Sequence, residues 1–147
     1  MDRLFRFLKY PFPERLILVQ VTILLVSIRV ALIFLPFRTI SRFTQSMRRE
    51  KSDPNAVEIV SMKRILWAIN RAGGSILRDR ACLTQALAGQ VLLNRCGIST
   101  RVKIGVLKDR EGHFQAHAWL ENDGQVLLGG KVADLKHYTV LPDWDAA

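Results

Sequence analysis

Cysteine and histidine are scarce in this 147-residue chain: the cysteines are Cys82 and Cys96, and there are three histidines. No Cys-x-x-Cys and no cluster of His and Cys at metal-ligand spacing occurs, so neither a metal site nor a bound cofactor is expected. If both cysteines ride on one helix, the fourteen residues between them span roughly 21 Å, far beyond the reach of a disulfide. Two free thiols fit a reducing compartment, most simply the cytoplasm. Aromatic residues make up only 8% of the chain and are not interleaved with a basic stripe, which argues against a nucleic-acid partner. Internal repeats and low-complexity tracts are also lacking.

Acid is short in one part of the chain only. Residues 1–51 hold ten Lys/Arg against three Asp/Glu, whereas residues 52–147 hold twelve against ten. Nearly all of the +9 net charge therefore belongs to the N-terminal third. A basic segment that is also apolar points to an anionic membrane surface or an acidic partner. What is abundant is apolar residues, at 49%. That excludes disorder, and the length allows one domain with a sizeable core. The composition divides the chain into a basic, apolar helical lead-in over 1–51 and a domain over 52–147.

From Leu16 to Leu35 the chain is mostly apolar, interrupted by Gln20, Thr22, Ser27 and Arg29. Twenty such residues are long enough to span a bilayer, but an arginine inside the run costs about 2.5–3.5 kcal/mol at the membrane centre. Three readings stand: a helix docked on the domain behind it, a helix on or in a membrane, or a signal peptide. The last lacks a small-x-small cleavage site. Pro36 ends or kinks this helix. A shorter amphipathic helix follows over Phe37 to Lys51, with Phe37, Ile40, Phe43 and Met47 as its apolar row. Asp53 as N-cap and Pro54 at the first helical position start a third helix over 54–71, which includes Trp67 as a core residue and closes at Gly73-Gly74.

Ala81 to Gly97 reads as a buried helix, since Leu83, Ala86, Leu87, Ala88, Val91, Leu92 and Leu93 cover far more than one stripe. Asp79 is its candidate cap. Beyond Gly97 the period changes to two. Val102, Ile104 and Val106 alternate in one strand, and Phe114, Ala116, Ala118 and Leu120 in the next. Asn122-Asp123-Gly124 is a hairpin turn into a third strand over Gln125 to Leu128. Helices followed by an antiparallel meander make an α+β fold.

Within that layout Cys82 falls near a helix N-terminus, where free backbone amides and the helix dipole favour thiolate. His117 lies in a later strand, on the face shared by Gln115 and Trp119. A thiol and an imidazole in this arrangement supply a nucleophile and a base. The plainer reading is that Cys82 packs in the core and His117 is structural. Cys96, His113 and His137 read as packing or solvated residues.

The motifs in combination resemble a known family. Cys82-Leu83-Thr84-Gln85-Ala86-Leu87-Ala88, Leu92-Leu93-x-Arg95-x-Gly97-Ile98, Ile104-Gly105-Val106 and Ala116-His117-Ala118-Trp119-Leu120-Glu121 are similar to the transglutaminase-like cysteine proteases of lasso-peptide biosynthesis. Leu35-Pro36-Phe37-Arg38 extends the likeness into the lead-in. The resemblance implies a papain/transglutaminase-like fold and removal of a leader from a ribosomally made precursor peptide. It makes Cys82 the nucleophile and His117 the general base. Where that family often has an aspartate after the strand that follows the histidine, this chain has Gly129-Gly130. Asp134, the nearest downstream carboxylate, is taken as the third catalytic residue, ahead of Asp123 and Glu121.

The resemblance further implies a standalone form without a fused leader-binding domain. Its partners would be the precursor leader, a separate recognition protein and an ATP-dependent lasso cyclase. Residues 1–51 would dock one of these proteins or a membrane surface. The competing expectations are a non-catalytic, membrane-associated scaffold of the same fold, and acyl transfer on a different amide.

Overall fold

The computed structural model describes residues 9–46, 56–76 and 81–142. Among the described residues four helices come first: α1 (Phe12–Phe34), α2 (Phe37–Ser46), α3 (Ala56–Ile76) and α4 (Ala81–Arg95). Strands β1 (Arg101–Lys108), β2 (Phe114–Asn122) and β3 (Gln125–Leu128) follow, then a single helical turn α5 (Val132–Leu135) and a two-residue strand β4 (Thr139–Val140). This is the expected α+β architecture, with one strand more than the meander.

The sheet runs β3-β2-β1-β4. β1 and β2 pair antiparallel along their whole length, from Arg101 opposite Glu121 to Lys108 opposite Phe114. The β2–β3 hairpin turns at Asp123 and Gly124, whose φ angles of 45° and 80° are the left-handed pair that a two-residue turn needs. The last strand returns to the far side, where Gly105 and Val106 pair with Val140 and Thr139.

Helix α4 sits at the centre, against α1, α2, α3 and the sheet. Of its side chains from Cys82 onward only Arg95 is exposed. Ala86, Leu87, Ala88 and Leu93 are at 0% and join Leu25, Ile69, Leu120 and Leu128 in one core. The polar groups of α4 that face this interior are largely paired. Thr44 of α2 donates to Gln90 Oε1 at 2.8 Å, Gln90 reaches the Thr100 carbonyl, and Asn94 Oδ1 accepts from the Thr100 amide and hydroxyl. Each bond removes a desolvation penalty of about 1–3 kcal/mol that an unpaired buried group would incur. Only Thr84 Oγ1 is buried with no partner among the described residues.

Several local expectations are corrected. Helix α3 does not stop at Gly73-Gly74 but continues to Ile76. Gly73 faces α4, where a Cβ would fall 1.8 Å from the Gln85 amide nitrogen, so this glycine makes room for a neighbour and does not break the helix. In α2 the inward positions are Phe37, Ile40 and Thr44, while Phe43 is 61% exposed, and Thr44 faces inward where it bonds Gln90. Trp67 is also not a core residue: it is partly exposed and packs edge-on against Tyr10, with ring centroids 5.4 Å apart. The candidate caps Asp53 and Asp79, Pro54, Met47 and the division at 51/52 lie outside the described residues. Helices α1 and α2 on one side of that division share a single core with α3, α4 and the sheet on the other.

Candidate active site

Cys82 is the second residue of α4, in the first turn, where backbone amides have no partner within the helix. It is half-buried, and Gln85 lies one turn on, on the same face. Both line a cleft of about 610 Å³. Asn70 of α3 borders it, as do Ala116 and His117 of β2 and the segment after β3: Gly129, Gly130, Asp134, Leu135 and Tyr138. The three residues singled out from the sequence, Cys82, His117 and Asp134, therefore open on one cavity although 52 positions separate the first from the last. Among the described residues no hydrogen bond joins Cys82 to His117. Catalytic pairs are often loose until substrate closes the site.

His117 is held from three directions. Its ring stacks on Trp119 at 6.5 Å with planes 20° apart, and Tyr138 lies tilted against it at 5.6 Å. Trp119 is itself 2% exposed, laid over Gly105 where a Cβ would come within 2.8 Å of its ring, and it donates from Nε1 to Glu121 at 2.7 Å. The third constraint is a hydrogen bond between His117 Nε2 and the carbonyl of Gly129. A carbonyl can only accept, so Nε2 carries the proton, and in the neutral ring Nδ1 is left with the free lone pair.

Gly129 can present that carbonyl because it is glycine. Its φ is +97°, and a Cβ there would stand 2.7 Å from the Ala118 carbonyl oxygen and the Trp119 Cα. Those are backbone atoms that cannot swing aside. Asp134 sits in the first turn of α5, with its amide bonded to the Lys131 carbonyl and its side chain exposed at the rim of the cleft. His113 is exposed in the β1–β2 turn beside Asp109, His137 is exposed, and Cys96 is half-buried just past the far end of α4.

Sequence reasoning did not find Gly129, Asn70 or Tyr138. The Gly129-Gly130 pair drew attention only as a missing aspartate. A main-chain oxygen has no side chain to announce it, but two successive glycines directly after a strand are a signal that backbone comes close to something.

A profile of the transglutaminase-like superfamily matches residues 22–143, most of the chain. The protein belongs to that superfamily, which includes cysteine peptidases and acyltransferases and is commonly cysteine-dependent. No curated protein and no solved structure matches.

Proposed function

We propose that the protein is a cysteine peptidase that removes the leader from a ribosomally made lasso precursor by acyl transfer through Cys82. The observation that carries this reading is the shared cleft. A thiol in the first turn of a buried helix opens on the same cavity as an imidazole whose Nε2 is already tied down. Membership of the superfamily supports a cysteine-dependent acyl transfer, and the likeness of the motifs around Cys82 and His117 to the lasso leader peptidases supports the substrate.

In this mechanism His117 Nδ1 takes the proton of Cys82, and the thiolate attacks the carbonyl carbon of the scissile amide. The free amides at the start of α4 face the developing oxyanion, a contribution commonly worth about 10²–10³ in rate for each donor. The imidazolium then protonates the leaving amine, the C–N bond breaks and a thioester remains on Cys82. A water molecule, deprotonated by His117, attacks the thioester. The C–S bond breaks, the leader departs with its new carboxylate, and the imidazolium returns its proton to the Cys82 thiolate.

The freed amine of the core peptide is what a separate ATP-dependent cyclase requires, and a separate recognition protein would deliver the leader. The orienting role we give to the Gly129 carbonyl, because that is the atom bonded to His117 Nε2. Asp134, the choice from the sequence, is the one carboxylate among the described residues lining the cleft and is the alternative for this role.

The test is cleavage of a precursor peptide by purified protein with its recognition partner present. Cys82→Ala and His117→Ala should each lower turnover by about 10⁴-fold or more while leaving the circular dichroism spectrum unchanged. Cleavage at the wild-type rate by either folded variant removes the proposal.

A further inference from the structure

Helix α1 carries a feature that this chemistry does not use. Its inner face, Leu18, Val21, Leu25 and Ile28, is buried in the core. Its outer face consists of Phe12, Leu16, Val19, Ile23, Val26, Val30 and Ile33, at intervals of four and three, each between 43% and 78% exposed, and Phe34 adjoins them at the end. The stripe runs the whole helix, about 34 Å at 1.5 Å per residue. An apolar strip of that length does not face water without cause.

We propose that this stripe docks the protein on an anionic bilayer, with α1 lying in the plane of the membrane. The charge around it selects the occupant. Residues 9–46 carry Lys9, Arg15, Arg29, Arg38 and Arg42 against Glu14 alone. Arg15 and Arg29 flank the stripe, and Lys9, Arg38 and Arg42 stand beyond its two ends. Such a set is attracted to acidic headgroups while the apolar side chains enter the acyl boundary.

A second copy of α1 fits poorly. The positions beside the stripe hold Arg15, Gln20, Thr22, Ser27 and Arg29, so two such helices would meet with like charges and no acid opposite. Ser27 donates to the Ile23 carbonyl at 2.8 Å, which satisfies its hydroxyl donor within the helix. By length and composition α1 could also cross a bilayer. Crossing would carry into the membrane the helix packed against it, α3, whose Lys63 and Arg64 are exposed, at the cost that charges incur there.

The experiment is density-gradient flotation of the full chain with vesicles of phosphatidylglycerol mixed with phosphatidylcholine, and with phosphatidylcholine alone. The protein should float with the mixed vesicles, lose binding as salt is raised, and be released by alkaline carbonate. Ile23→Glu/Val26→Glu should bind about tenfold less or weaker still, and Arg29→Glu several-fold less, with wild-type circular dichroism spectra. Because the wild-type result is itself one arm, a misfolded variant leaves the proposal open to refutation. It is overturned by failure of the wild type to float, by equal binding to neutral vesicles, or by carbonate-resistant insertion. A lipid-free dimer that Ile23→Glu dissociates overturns it as well, and assigns the stripe to a second copy.

Discussion

Helices α4 and α1 are both apolar nearly all the way round, yet their surroundings differ. α4 is covered on every side by three helices and the sheet, and it pairs two of its buried polar side chains, Gln90 with Thr44 and Thr100 and Asn94 with Thr100, leaving Thr84 Oγ1 without a partner among the described residues. α1 is covered on one side only, and its outer stripe meets solvent. Apolarity alone therefore does not decide what a helix is for; the polar groups beside it do. On α4 the buried ones are uncharged and face inward, as in a scaffold, while its one charged side chain, Arg95, is exposed at the helix end. On α1 they include two arginines, Arg15 and Arg29, beside a bare strip, as at an interface. The proposed nucleophile belongs to the first kind: Cys82 is presented by a helix on which, among the described side chains, only Arg95 is exposed, and not by a loop, which is how a reactive atom would be held in register with a base on another element.

The sharpest way to break this comparison is to apply similar truncations to both helices. Leu87→Ala in α4 removes a side chain at 0% exposure and should cost about 3–4 kcal/mol in urea unfolding. Ile23→Ala in α1, at 61% exposure, should stay within about 0.5 kcal/mol. Equal losses would mean that the outer face of α1 is packed in solution. The next effect concerns what lies opposite the start of α4. Gly129→Ala should displace the carbonyl bonded to His117 Nε2 and lower kcat about 10²-fold, read alongside the unfolding midpoint to separate misplacement from loss of fold. Unchanged kcat would show that this carbonyl does not position the ring. The smallest expected effect is that of Asp134→Asn, within about threefold of wild type; a loss near 10⁴-fold would transfer the orienting role to the Asp134 carboxylate.

Much of this was legible from residues alone, for reasons that can be named. α4 announced itself by apolar residues on all faces, and β1 and β2 by a period of two ended by Asn122-Asp123-Gly124. Cys82 and His117 stood out because their side chains carry the chemistry. What escaped notice was carried by backbone or by neighbours. The bond from His117 goes to a main-chain oxygen. β4 is two residues long, too short for any periodicity. Gly73 resembles a helix stop until Gln85 is seen lying against it. The inward-facing Thr44 has its partner in Gln90, 46 residues away. For α1 the sequence left open burial, membrane contact or a signal peptide, and the two faces of the helix answer differently: one is buried, and for the other a membrane is the occupant proposed.

The central claim, that Cys82 is an activated nucleophile, has a control within the molecule. Cys82 and Cys96 are both half-buried and lie at opposite ends of the same helix, with His117 lining the cleft at one of them. The direct measurement is residue-resolved mass spectrometry after brief exposure to a thiol-directed alkylating reagent at mildly acidic pH, in wild type and in His117→Ala. The account predicts that Cys82 is modified well ahead of Cys96 and that the substitution removes the difference. Equal labelling of the two thiols in wild type, or preferential labelling of Cys82 that survives loss of the imidazole, would contradict it.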